Sequence, residues 1–162
     1  MSPVSQTVLD GLNEGIKAEL AAYVFYMKGM HSTSEQRLKD LLATLASEEK
    51  DHYKILERQY DNLVRSEIWA PYNDIMLQPG LPNIDEQVED VHDEYIDEIT
   101  EKTSPMRILE IALMLEKRAR DHYAGMAEKV DDPRGKEMFK YLSKFENVHV
   151  NKITKMMKEF EK

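Results

Sequence analysis

Apolar residues recur along this chain in steps of three and four through four long stretches, the spacing that keeps one face of an α-helix turned toward a core. The first stretch, residues 4–30, carries the seam Leu12, Ile16, Glu19, Tyr23, Tyr26. The second, residues 35–65, carries Leu42, Leu45, Glu49, His52, Leu56, Gln59. The third, 105–130, reads Leu109, Leu113, Glu116, Arg120, Tyr123, and the fourth, 133–161, reads Phe139, Leu142, Glu146, His149, Ile153, Met156. Start signals accompany the pattern. Ser32 and Glu35 have capping-box spacing, and Ser104-Pro105 and Asp132-Pro133 each place a capping side chain before a proline at the first helical position.

The links at 31–34 and 131–132 are short, so each pair of helices is expected to form an antiparallel hairpin. The link at 66–104 is different. Its first half holds Pro71, Pro79, Gly80 and Pro82 and cannot be one helix, whereas residues 85–100 have the makings of a short acidic helix. A helix of about 28 residues spans about 42 Å, which an extended chain covers in about 13 residues. The link is therefore long enough to return along the whole bundle. The expected fold is an all-α four-helix bundle, residues 1–162 as a single domain, with two antiparallel hairpins joined by a long crossover. The crossover's apolar residues, among them Ile68, Trp69, Tyr72, Ile75, Met76 and Leu77, are expected to pack back on their own bundle, or else to cover a subunit face.

An offset of 97, the separation of Glu19 from Glu116 and of Glu49 from Glu146, superimposes the second pair of stretches on the first without a gap. It also pairs Tyr26 with Tyr123 and His52 with His149. The closest matches of this internal duplication are polar residues in the middle of seams that demand burial. A buried, unpaired carboxylate costs several kcal/mol or takes up a proton, and four together repel one another unless cations sit among them. Two divalent cations would balance four glutamates and leave two neutral imidazoles as further ligands. In a helix, positions i and i+3 share a face, so each Glu-x-x-His aims both groups at the same volume. One such tetrad is weak evidence. Two, each on a separate seam and each matched by a lone seam glutamate, point to a dinuclear metal centre held by Glu19, Glu49, His52, Glu116, Glu146 and His149.

Composition narrows the chemistry. The 162 residues contain no cysteine, which removes disulfides, thiolate nucleophiles and cysteine-held metal clusters. The formal net charge of −9 argues against a nucleic-acid partner. No apolar run reaches a membrane span and no secretory leader is evident, so no membrane association and a cytoplasmic location are expected. His31, His92 and His122 lie off the seams and read as surface or loop residues.

On Glu19 with Tyr26, the tetrad from Glu49 to His52, Glu116 with Tyr123, and the tetrad from Glu146 to His149, the chain resembles the ferritin-like superfamily, and within it the rubrerythrin-like diiron proteins. The resemblance covers the four helices. It implies two irons, with Glu49 and Glu146 bridging, Glu19 and Glu116 terminal, and His52 and His149 capping one iron each. It also implies that Tyr26 and Tyr123 hydrogen-bond ligand carboxylates. Arg120, one turn from Glu116, is either a donor tuning the metals or an arginine snorkelling to the bundle edge. There are departures. The cysteine-ligated rubredoxin module of rubrerythrins is absent, and Ala119 stands where they add a carboxylate. The symmetric ligand set is similar to that of bacterioferritin, but Lys50 occupies the place of its haem-ligating methionine, so no haem is expected.

These readings imply an oxidoreductase that reduces hydrogen peroxide or dioxygen while oxidising Fe(II), recharged by an external electron donor, in a homodimer. Manganese or zinc would satisfy the same ligands. The alternatives are a ferroxidase of an iron-storage shell, which the absence of a fifth helix before Lys162 disfavours, and a metal-stabilised module without turnover.

Overall fold

The computed structural model describes residues 5–161 apart from 79 and 92, and apart from the side chains of 89 and 90. Local capping chemistry sets most helix starts. Ser5 accepts a hydrogen bond from the Val8 amide at 3.3 Å and opens α1 (Gln6–Ser32). Ser104 accepts from the Arg107 amide and Asp132 from the Arg134 amide, and the prolines that follow them begin α5 (Pro105–Lys129) and α6 (Pro133–Phe160). A proline costs nothing there, because its missing N–H would have had no partner in the helix.

The start of α2 (Gln36–Ser66) departs from the sequence reading. Ser32 still belongs to α1 and donates its hydroxyl back to the Lys28 carbonyl, so the Ser32–Glu35 capping box does not form. Thr33 makes the turn instead. Its amide closes α1 on Gly29, and its hydroxyl accepts from the Glu35 amide at 3.2 Å. With Thr33 buried, the turn is fixed from within.

The architecture is an all-helical bundle with no strand among the described residues. The first hairpin is α1 with α2 and the second is α5 with α6; the backbones of α1 and α5 lie close, while those of α2 and α6 stay further apart and meet through side chains. Apolar seams fill the centre with residues such as Leu12, Phe25, Leu42, Leu56, Ile108, Phe139 and Ile153. Each fully buried aliphatic or aromatic side chain of this kind contributes about 1.5–3 kcal/mol relative to exposure.

The crossover folds as α3 (Tyr72–Ile75), a 3₁₀ turn (Ile84–Asp90) and α4 (Glu94–Glu98). The single acidic helix anticipated over 85–100 is thus divided. Asn83 caps the 3₁₀ turn through the Asp85 amide and Asp93 caps α4 through the Tyr95 amide, so two short local hydrogen bonds outcompete one continuous helix of like charges. The segment packs on its own bundle, burying Trp69, Ile75, Ile84, Ile96 and Ile99, while Ile68, Met76 and Leu77 stay exposed. Gln59, a polar interruption of the second seam, holds it in place. The amide of Gln59 donates to the Ala70 carbonyl at 2.8 Å and its oxygen accepts from the Ala70 N–H at 2.9 Å. Lys28 reaches the Ile96 carbonyl, and Asp85 takes hydrogen bonds from Tyr23 and Lys50.

Trp69 seats against Gly135 of α6. A Cβ at that glycine would lie 2.6 Å from Val130 Cγ1 and 2.9 Å from Trp69 Cζ2. Alanine gains up to about 1 kcal/mol of helix propensity over glycine, but overpacking of this severity costs about 1–3 kcal/mol. Gly135→Ala is expected to be net destabilising by about 1 kcal/mol in urea unfolding, with red-shifted emission from the chain's one tryptophan. An unchanged midpoint and spectrum would show that this contact is not a constraint.

Candidate metal centre

The steps of three and four that bury the seams also bring six polar side chains to one volume in the middle of the bundle. Glu19 comes from α1, Glu49 and His52 from α2, Glu116 from α5, and Glu146 and His149 from α6. None is more than 1% exposed. Their donor atoms form two overlapping sets. Glu19, Glu49, His52 and Glu146 offer ligand atoms all within 4.8 Å of one another, as do Glu49, Glu116, Glu146 and His149. Glu49 and Glu146 belong to both.

Both imidazoles turn Nδ1 inward. His149 Nδ1 lies 3.1 Å from Glu49, 3.2 Å from Glu116 and 3.1 Å from Glu146. His52 Nδ1 lies 3.1 Å from Glu146, but 3.7 Å from Glu19 and 3.9 Å from Glu49. The tyrosines bind crosswise between the hairpins. Tyr26 of α1 donates to Glu116 of α5, and Tyr123 of α5 donates to Glu19 of α1 at 2.5 Å. Burial, reinforced by the surrounding carboxylates, pushes both phenols well above their ordinary pKa, so they remain donors.

Three carboxylate oxygens in the cluster, Glu19 Oε2, Glu49 Oε1 and Glu116 Oε2, are buried without a hydrogen-bond partner, Glu49 Oε1 lying close to His149 Nδ1 but out of hydrogen-bond alignment. Buried acceptors are ordinarily satisfied, and an unpaired charged one is costlier still. Protons offset part of the repulsion. Burial and the neighbouring Glu19 and Glu116 carboxylates push Glu146 well above the usual carboxylate range. Burial opposes the ionisation of Glu116 as well, but hydrogen bonds from Glu146, His149 and Tyr26 hold it below its ordinary value. The two carboxyls are thus pushed in opposite directions, Glu146 toward its protonated form and Glu116 toward its charged one. Burial also disfavours a charged His149, yet Glu116 and Glu48 together raise its pKa. The orphaned oxygens, the all-oxygen-and-imidazole donor set and the four-carboxylate charge fit a pair of divalent cations.

Other residues are placed elsewhere. Arg120 is not brought to the cluster. Its guanidinium turns to the bundle surface, donating to Asp121 and to Asn147 at 3.0 and 3.1 Å. His31 is exposed, and the partly buried His122 bonds the Gly11 carbonyl. His92 lies outside the described residues. One contact escaped the sequence reading. Glu48 accepts a 2.5 Å hydrogen bond from Nε2 of His149, on the side of the ring facing away from the cluster. The available signal was the 97-residue offset, which pairs Glu48 with Phe145.

Metal binding must displace the protons on Glu146 and His149, so affinity is expected to strengthen as pH rises toward and through their raised pKa values and to weaken below them. Calorimetric titration of the metal-free protein with a divalent metal near pH 6 should show heats that depend on the ionisation enthalpy of the buffer. Heats independent of the buffer would mean that the cluster holds no displaceable proton.

Residues 107–162 match the family model described as Rubrerythrin, a match confined to α5 and α6. No curated protein and no solved structure matches the chain. Taken with the helical bundle and a carboxylate and imidazole set that the first hairpin repeats, the match makes the chain similar, over its second hairpin, to the ferritin-like diiron-carboxylate proteins of the rubrerythrin family.

Proposed function

We propose that the protein is a dinuclear iron oxidoreductase that reduces hydrogen peroxide or dioxygen as Fe(II) is oxidised, and that an external donor then recharges it. The observation that carries this reading is the buried set of four glutamates and two histidines, with Glu49 and Glu146 common to both halves. In this reading Glu49 and Glu146, common to both donor sets, would be shared by the two metals, while Glu19 with His52 and Glu116 with His149 would each serve one, the imidazoles through Nδ1. When bound, an iron pair supplies two electrons to an O–O bond, and flexible carboxylates accommodate the change in charge.

The chain's own residues shape that chemistry. The apolar layers around the cluster exclude bulk water. Tyr26 and Tyr123 hold Glu116 and Glu19 from the opposite hairpin, fixing the terminal carboxylates while leaving the shared ones freer to shift. Between α2 and α6, partly exposed Glu48 is bonded directly to His149 and links the cluster to the surface. A small oxidant suits so enclosed a site. Manganese or zinc would be held by the same donors. A homodimeric, cytoplasmic enzyme served by a separate donor completes the proposal.

An anaerobic Fe(II) titration of metal-free protein, followed by peroxide oxidation and a count of retained iron, tests it. Saturation at two irons per chain is expected, with peroxide consumed in proportion to Fe(II) oxidised. Retention of tens or more per chain would favour storage, and retention of none would sink the metal reading. Glu49→Ala and Glu146→Ala are each expected to lose binding at both positions, since each removes a shared ligand. A variant that kept two irons and full turnover would overturn the ligand assignment.

A further inference from the structure

The two halves of the cluster repeat each other in sequence but differ behind the imidazoles. On one side, Glu48 of α2 accepts from Nε2 of His149 at 2.5 Å, and its other oxygen lies 3.7 Å from the Lys152 ammonium. On the other, the position equivalent to Glu48 is Phe145 of α6. Its ring stands edge-on to His52, with centroids 4.7 Å apart and planes at 88°. Tyr141 closes the same side at 6.1 Å, and no hydrogen bond reaches Nε2 of His52 from the described residues.

From this difference we infer that Glu48 is a positioning residue that makes the two metal positions unequal, so that the one served by His149 fills first and binds more tightly. The inference rests on the dinuclear reading above. A carboxylate on the far nitrogen of a ligating histidine fixes its tautomer, keeps Nδ1 free to ligate, orients the ring and raises its basicity. Removing such a partner typically lowers metal affinity about 10–100-fold. An aromatic edge orients a ring but supplies none of the charge. The distances agree. Nδ1 of His149 stands 3.1–3.2 Å from all three of its carboxylate neighbours, whereas Nδ1 of His52 is that close only to Glu146. The His149 half is therefore drawn together before any metal arrives, and the His52 half must close on binding. Because the inequality arises from a residue that is not itself a ligand, it can be altered without removing a ligand.

The test is an anaerobic titration of the metal-free protein with Co(II), followed by calorimetry and by visible d–d absorption. The unsubstituted chain should bind in two resolved steps with distinct spectra. Glu48→Ala should weaken the first step about 10-fold or more and bring the two steps together. Glu48→Gln, whose carbonyl still accepts from Nε2, should fall between them, separating the charge from the geometry. Two equal sites in the unsubstituted chain would overturn the inference and leave the metal reading standing. So would a Glu48→Ala titration, on protein with unchanged helical circular dichroism, that superimposes on the original. Failure of the unsubstituted chain to bind cobalt at all would overturn both.

Discussion

Four glutamates buried at the centre of a helical bundle are the constraint around which this protein is organised. Charges of one sign in a medium of low polarisability repel strongly and lose their hydration, and no apolar packing nearby relieves either cost. The fold answers in several ways at once. Two phenols donate across the hairpin boundary, burial and neighbouring carboxylates push Glu146 toward its protonated form, and two imidazoles line the remaining space. What these leave unsatisfied, three orphaned oxygens, is a demand that bound cations would meet.

The same constraint accounts for the unequal contacts between helices. Where α1 meets α5, the crossed tyrosines and small residues bring the backbones close. Gly15 is one of these, since a Cβ there would stand 3.0 Å from the ring of Tyr123. Where α2 meets α6, both carry a glutamate and a histidine at matching depth, and the helices stay further apart. The crossover lies over the bundle's flank, bonded through Gln59, Lys28 and Asp85 to both helices of the first hairpin. Its two short caps, Asn83 and Asp93, bend it to the surface it covers.

Much of this was legible in the sequence because two periodicities conflict. A seam that is otherwise Leu, Ile and Phe announces burial, and glutamate and histidine at the same register announce a reason for it. The 97-residue repeat then separates shared purpose from accident. The method is blind to partners lying off the seam. Glu48 sits one residue before a seam glutamate and looks like any solvated acid, since its partner is on another helix. Gln59 shows the opposite ambiguity: a buried polar seam residue that serves a loop backbone and no ligand. Ser32 carried the right residue at the right spacing, but Thr33 next to it could both end α1 and brace α2, and a local pattern does not rank neighbours. Arg120 occupied a seam position and left it through its own length.

The crossed assignment of donors also bears on how the protein is made. Each four-residue set draws on both hairpins: the one centred on His52 needs Glu146, and the one centred on His149 needs Glu49. A nascent chain that has released only its first hairpin therefore exposes Glu19, Glu49 and His52 without completing either set. Neither set is complete until the last helix has docked. A truncated or half-folded chain therefore lacks either complete set of donors.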